Sequence, residues 1–184
     1  MNCTTRDDKV CHKQQNLCSR EIFDKEEVIS QCKQTTTSEI VEAAAELVDF
    51  GRAGSLSRVE EIREFAATMN YKTLGLAYCY STEQYANAIE TVLNDKGFDV
   101  SAVSCSVGGL KQSEVNSASY IHTVSFNPLG QAEQLNTEKV DLALVVGKCM
   151  GHDILLNRNL GMDFTTLVVK DRKYNHAPLL EIEK

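Results

Sequence analysis

The chain has 184 residues, 42% of them apolar, and a formal charge of -7. That is enough for one globular domain with a sizeable core and a small appendage. The acidic balance excludes nucleic acid as a general partner, because phosphate binding needs a basic face. No run approaches the ~18–20 apolar residues of a membrane span. The polar start, Met1 to Lys9, lacks the apolar stretch of a secretion signal. The expectation is a cytoplasmic protein, away from membranes, where its seven cysteines stay reduced.

Residues 1–35 form a polar, cysteine-rich N-terminal segment with Cys3, Cys11, Cys18 and Cys32. Cys3, Cys11 and Cys18 are candidates for a second metal site, although their spacing lacks the CxxC knuckle of most zinc sites. Metal binding could order such a segment; the alternative is a loose tail with incidental cysteines. A short amphipathic helix is expected from about Glu21 to Cys32, with Cys32 on its inner face. Residues 36–184 are expected to form an α/β metal-binding domain. A helix starts with a Thr36–Glu39 capping box and turns Ile40, Ala44, Leu47 and Val48 to one side. Gly51 and Gly54 break it. A second helix opens with the capping box Ser57 to Glu60 and carries the stripe Val59, Ile62, Ala66, Met69.

From Lys72 strands and helices alternate. Strand Thr73 to Tyr78 leads to Cys79. A helix from about Thr82 to Lys96 follows, with Tyr85, Ile89, Val92 and Leu93 inward and Gly97 as its stop. Strand Val100 to Ser104 leads to Cys105 and a long loop with Gly108-Gly109, running to about Phe126. His122 in that loop is uninformative. Asn127-Pro128 starts a helix by cap and proline; Gln131, Gln134 and Asn136 look like exposed positions on it. Strand Leu142 to Lys148 leads to Cys149, and a short helix opens near His152-Asp153. Strand Thr165 to Lys170 leads to Asp171, with His176 beyond. This pattern predicts a three-layer, Rossmann-like parallel sheet of about four strands with helices on both faces. No GxGxxG follows the first strand, and the glycine a P-loop would need is Leu142, so neither nucleotide motif is present.

Cys79, Cys105 and Cys149 each follow a strand. Parallel neighbours would bring the three thiols to one carboxyl rim, where open α/β sheets bind ligands. A cysteine near a helix N-terminus gains thiolate character. Three thiolates suit zinc or an iron–sulfur cluster and leave one position open, for which His152 is the nearest candidate. Gly108, Gly109, Asn127, Asp153, Asp171 and His176 would line the pocket. For any one of these cysteines the plainer alternative is a small buried hydrophobe.

The runs Arg58 to Ile62, Val107-Gly108-Gly109, Asn127 to Asn136, Val145 to Asp153 and Thr165 to Arg172 resemble an uncharacterised family of metal-binding, cysteine-rich proteins of anaerobic bacteria and archaea, a domain of unknown function. The resemblance covers nearly the whole chain and implies a cytoplasmic protein with an N-terminal metal-binding segment. Relatives carry a cysteine just before the Asn-Pro pair, where this chain has Phe126. Three functions are therefore expected as alternatives. One is a metal or iron–sulfur protein, with an open-site metalloenzyme acting on a small molecule as its fullest form. Another is a non-enzymatic metal carrier or sensor. The third is a metal-free thiol redox protein using Cys105 and Cys149. The expected partner is a small-molecule ligand, and a homodimer is a candidate assembly.

Overall fold

The computed structural model describes residues 23–120 and 123–183. Cys3, Cys11, Cys18 and His122 lie outside them. Helix α1 (Lys25–Cys32) starts at Asp24, whose carboxylate accepts the Glu26 and Glu27 N–H groups. None of its residues is buried, and Cys32 is exposed rather than core. Helix α2 (Thr35–Glu46) begins one residue ahead of the expected capping box, and its cap, Gln34, makes no side-chain cap bond. It buries Ala43; Ala44 and Val48 of the expected stripe face outward.

Helix α3 (Arg58–Thr68) has the expected capping box. Ser57 accepts from the Glu60 N–H while the Glu60 carboxylate accepts from the Ser57 N–H. It buries Ile62 and Ala66. Then follow β1 (Thr73–Tyr78), α4 (Glu83–Asn94), β2 (Asp99–Ser104), the short α5 (Gln112–Val115), α6 (Pro128–Glu138), β3 (Leu142–Lys148), α7 (Met150–Asn159) and β4 (Asp163–Val169). All four strands are parallel, in the order β2-β1-β3-β4.

The alternation of strand side chains splits the core in two. Leu74, Leu76, Leu142, Leu144 and Val146 pack with Ile62 and Ala66 of α3 and Leu93 of α4. Ala77, Val103, Ala143 and Val145 pack on the other face with Ala132 and Leu135 of α6 and Leu156 of α7. The sheet is thus covered on both sides, as all-parallel sheets require. On α4, Ala86 and Leu93 face the core, whereas Tyr85 and Val92, expected inward, are exposed. Gly75 lets α6 lie close: a Cβ there would come within 2.9 Å of Leu135 Cδ2. All seven residues of β3 are buried. No helix among the described residues is long and apolar enough to cross a membrane.

The strand order places the functional residues. After β2 the chain returns across β1 to lay down β3 on the other side. The carboxyl ends of β1 and β3 therefore flank the reversal point, where such sheets open a crevice. Cys79 and Cys149 stand beside it.

Candidate functional site

Cys79 and Cys105 continue the β1–β2 register one step beyond Tyr78 and Ser104, and the Cys105 N–H donates to the Tyr78 carbonyl (2.9 Å). Their thiols sense each other's ionisation. Both residues are 1% exposed. The Lys170 ammonium donates to Cys79 Sγ (2.8 Å) and to Ser81 Oγ (2.7 Å). To do so it reaches from the end of β4 across β3, because β3 lies between β4 and β1. The Tyr80 N–H donates to Cys105 Sγ (3.3 Å).

These contacts divide the two thiols. The neighbouring Cys105, then Lys170 and Ser81, hold Cys79 well below the ordinary thiol range despite its burial. Cys105 is pushed up by the neighbouring Cys79 and by burial. The two thiols are thus driven apart in acidity, with Cys79 the more acidic.

A buried polar layer lies behind it. Lys148, the last residue of β3, is only 5% exposed, and its ammonium donates to Gln131 Oε1. Gln131 on α6 is fully buried, and its amide N–H group donates to the Tyr78 carbonyl (3.0 Å) and the Val103 carbonyl (2.7 Å). Gln131 is therefore a clamp between β1, β2 and β3, not the exposed helix residue that its polar character suggests. Burial lowers the Lys148 pKa, while the charges of Cys105, Cys79, Cys149 and Asp153 oppose that shift. Neither lysine is among the sequence-derived candidates.

The remaining candidates divide between rim and scaffold. Cys149 is the N-cap of α7 and is half-buried; its side chain makes no cap bond. Cys105 and Cys149 follow strands separated by β1, whereas Cys79 and Cys105 follow adjacent strands. His152 packs on the ring of Phe126 (4.8 Å between centroids), which stacks on Tyr80 (5.8 Å). Burial, then Lys148 and Lys170, hold His152 below its usual pKa. Burial raises Asp153, which accepts a bond from Asn157. Asn127 caps α6 through Gly130, donates to the Val107 carbonyl, and sends its backbone N–H to the Cys105 carbonyl (2.7 Å). Gly108 and Gly109 take left-handed backbone in the turn after Cys105, and the Gly109 N–H is used within it. Asp171 and His176 are tied to each other: the Asp171 N–H donates to His176 Nδ1, and the His176 N–H donates to the Asp171 carbonyl.

A metal ion needs several converging donors. Among the described residues no group of three or more His, Cys, Asp or Glu side chains is placed to hold one. Lys170 already sets a positive charge against Cys79 Sγ, the place a metal would take. Cys3, Cys11 and Cys18 lie outside the described residues.

The uncharacterized protein MJ0455 of Methanocaldococcus jannaschii is 34% identical over 181 residues, covering 96% of this chain and 90% of that protein. No solved structure matches the chain. A family model described as "Protein of unknown function (DUF1847)" matches residues 16–167, which include β1, β2, β3 and all three strand-end cysteines. On both the family match and the relative, the chain belongs to this family of unknown function.

Proposed function

We propose that this protein is a thiol-dependent redox protein whose centre is the Cys79–Cys105 pair at the carboxyl rim of the sheet. The observation that carries it is the position of Cys79 and Cys105, one step beyond the paired Tyr78 and Ser104 on adjacent strands, with the Lys170 ammonium 2.8 Å from Cys79 Sγ. Adjacent strands lie about 4.8 Å apart, inside the ~4.4–6.8 Å Cα range of disulfides. The pair can therefore interconvert between dithiol and disulfide with little backbone movement. A thiolate is the attacking species in such chemistry, and Cys79 is held in that form at neutral pH.

The test is oxidation of anaerobically purified protein with diamide, followed by disulfide mapping and metal analysis. The expected result is one reversible Cys79–Cys105 disulfide, lost in Cys79→Ser. Zinc, or iron with sulfide, bound stoichiometrically and lost in Cys79→Ser would replace this reading with a metal centre.

A further inference from the structure

We propose that this centre is an electron acceptor, whose disulfide oxidises an anionic low-molecular-weight thiol; this rests on the dithiol reading above. The geometry behind it is the Lys170 ammonium on Cys79 Sγ, with a second, buried ammonium, Lys148, at the end of the neighbouring strand β3. Lys170 bonds Cys79 Sγ and Ser81 Oγ. Lys148 is buried, and the partner of its hydrogen bond is a neutral amide oxygen. A buried charge needs an opposite charge nearby. The acidic groups that Lys148 senses are Cys105, Cys79, Cys149 and Asp153. The Cys79 thiolate is one of these counter-charges.

A disulfide carries no charge. Its formation would remove the anion that Lys170 holds and that Lys148 senses, leaving the Lys170 ammonium without its thiolate partner. The reduced form is stabilised and the oxidised form is not, which makes the disulfide a strong oxidant. The freed Lys170 charge would attract an incoming anion. With Cys79 and Cys105 each 1% exposed, the reductant is a small molecule and not the thiol of a folded protein.

The step balances. A thiolate RS⁻ attacks Cys105 Sγ, and the Cys79–Cys105 bond breaks. Cys79 leaves as the thiolate held by Lys170, since the sulfur with the lower pKa leaves faster. A second RS⁻ attacks the substrate sulfur of the mixed disulfide, forming RSSR. Cys105 leaves and takes up one proton. Two thiolates lose two electrons, and the protein disulfide gains them.

The experiment equilibrates wild type, Lys170→Met and Lys148→Met in anaerobic buffers of reduced and oxidised glutathione at fixed pH, with acid quenching and mass mapping. Lys170→Met is expected to need at least tenfold more reducing buffer for half-reduction, a potential about 30 mV lower. Lys148→Met should move the same way. Wild-type rates need no variant. Per thiolate, anionic glutathione should reduce the disulfide faster than cationic cysteamine, and salt should narrow the gap. A disulfide that forms normally while Lys170→Met stays within twofold of wild type, or equal rates for the two reductants, overturns the acceptor role and leaves the dithiol reading standing. No Cys79–Cys105 disulfide at any buffer ratio overturns both.

Discussion

Replacing Gln131 by methionine tests whether the polar layer beneath the thiols holds the rim together. Methionine keeps the length of the side chain and its apolar stem, so the change removes hydrogen bonds more than volume. Three contacts vanish: those to the Tyr78 and Val103 carbonyls, and the acceptor for Lys148. Each neutral bond contributes about 1 kcal/mol, and a bond to a charged group about 1.5–3 kcal/mol. The expected loss is therefore about 3–5 kcal/mol, a large share of the ~5–15 kcal/mol stability of a domain. Urea unfolding of the reduced protein measures it, provided the transition stays two-state with an unchanged slope. Gln131→Glu should be similarly harmful: it keeps an acceptor for Lys148 but turns carboxylate oxygen toward two carbonyls. A loss below about 1 kcal/mol for Gln131→Met would refute the clamp and mean that Lys148 finds solvent or another partner.

Three further outcomes are expected. Alkylation at Cys79, followed by peptide mass analysis, should be nearly independent of pH from about 6 to 8. An ordinary thiol, with a pKa near 8.5, gains roughly tenfold per pH unit there; Lys170→Met should restore part of that rise. The depressed Cys79 pKa also stabilises the fold, a contribution complete above the unfolded thiol value and lost as pH falls toward the folded one. Gly147→Ala should cost about 2–4 kcal/mol in urea unfolding, from left-handed backbone and overpacking, because φ is +62° and a Cβ would meet Thr82 Cγ2 at 2.5 Å. Leu135→Ala should cost about 2–5 kcal/mol, since Leu135 is fully buried and fills the space over Gly75; a cost under 1 kcal/mol would deny that contact its role.

The sheet was legible because its central strands are apolar on both faces. Leu142 to Val146 could hardly be anything but a buried strand, and Asn127-Pro128 and Ser57-to-Glu60 marked helix starts by cap chemistry. Cysteine at three strand ends marked one carboxyl rim, and the parallel order places those strand ends together. The sequence did not reveal what surrounds the thiols. Gln131 looked like surface, yet it follows Pro128 by three and precedes Leu135 by four, on the stripe that is buried. An amide on an apolar stripe was the available signal. Lys148 ends a wholly apolar run and was similarly visible as a charge out of place. Lys170 carried no such mark, since its role depends on crossing β3 to a residue 91 positions earlier. Which thiols pair follows from strand order, which local pattern does not specify.

The place of β1 in the sheet also bears on how the protein assembles. Its pairing with β2 closes a short loop through α4, whereas its pairing with β3 spans about seventy residues and costs more chain entropy. On a growing chain, Cys79 and Cys105 are made and can meet within one β-α-β unit before Lys148 and Lys170 exist. Until those lysines arrive, the thiols have neither of their cations and the acidity of Cys79 is not fully set. The proposed centre is completed from its electrostatic side last, when the end of β4 reaches back over the sheet.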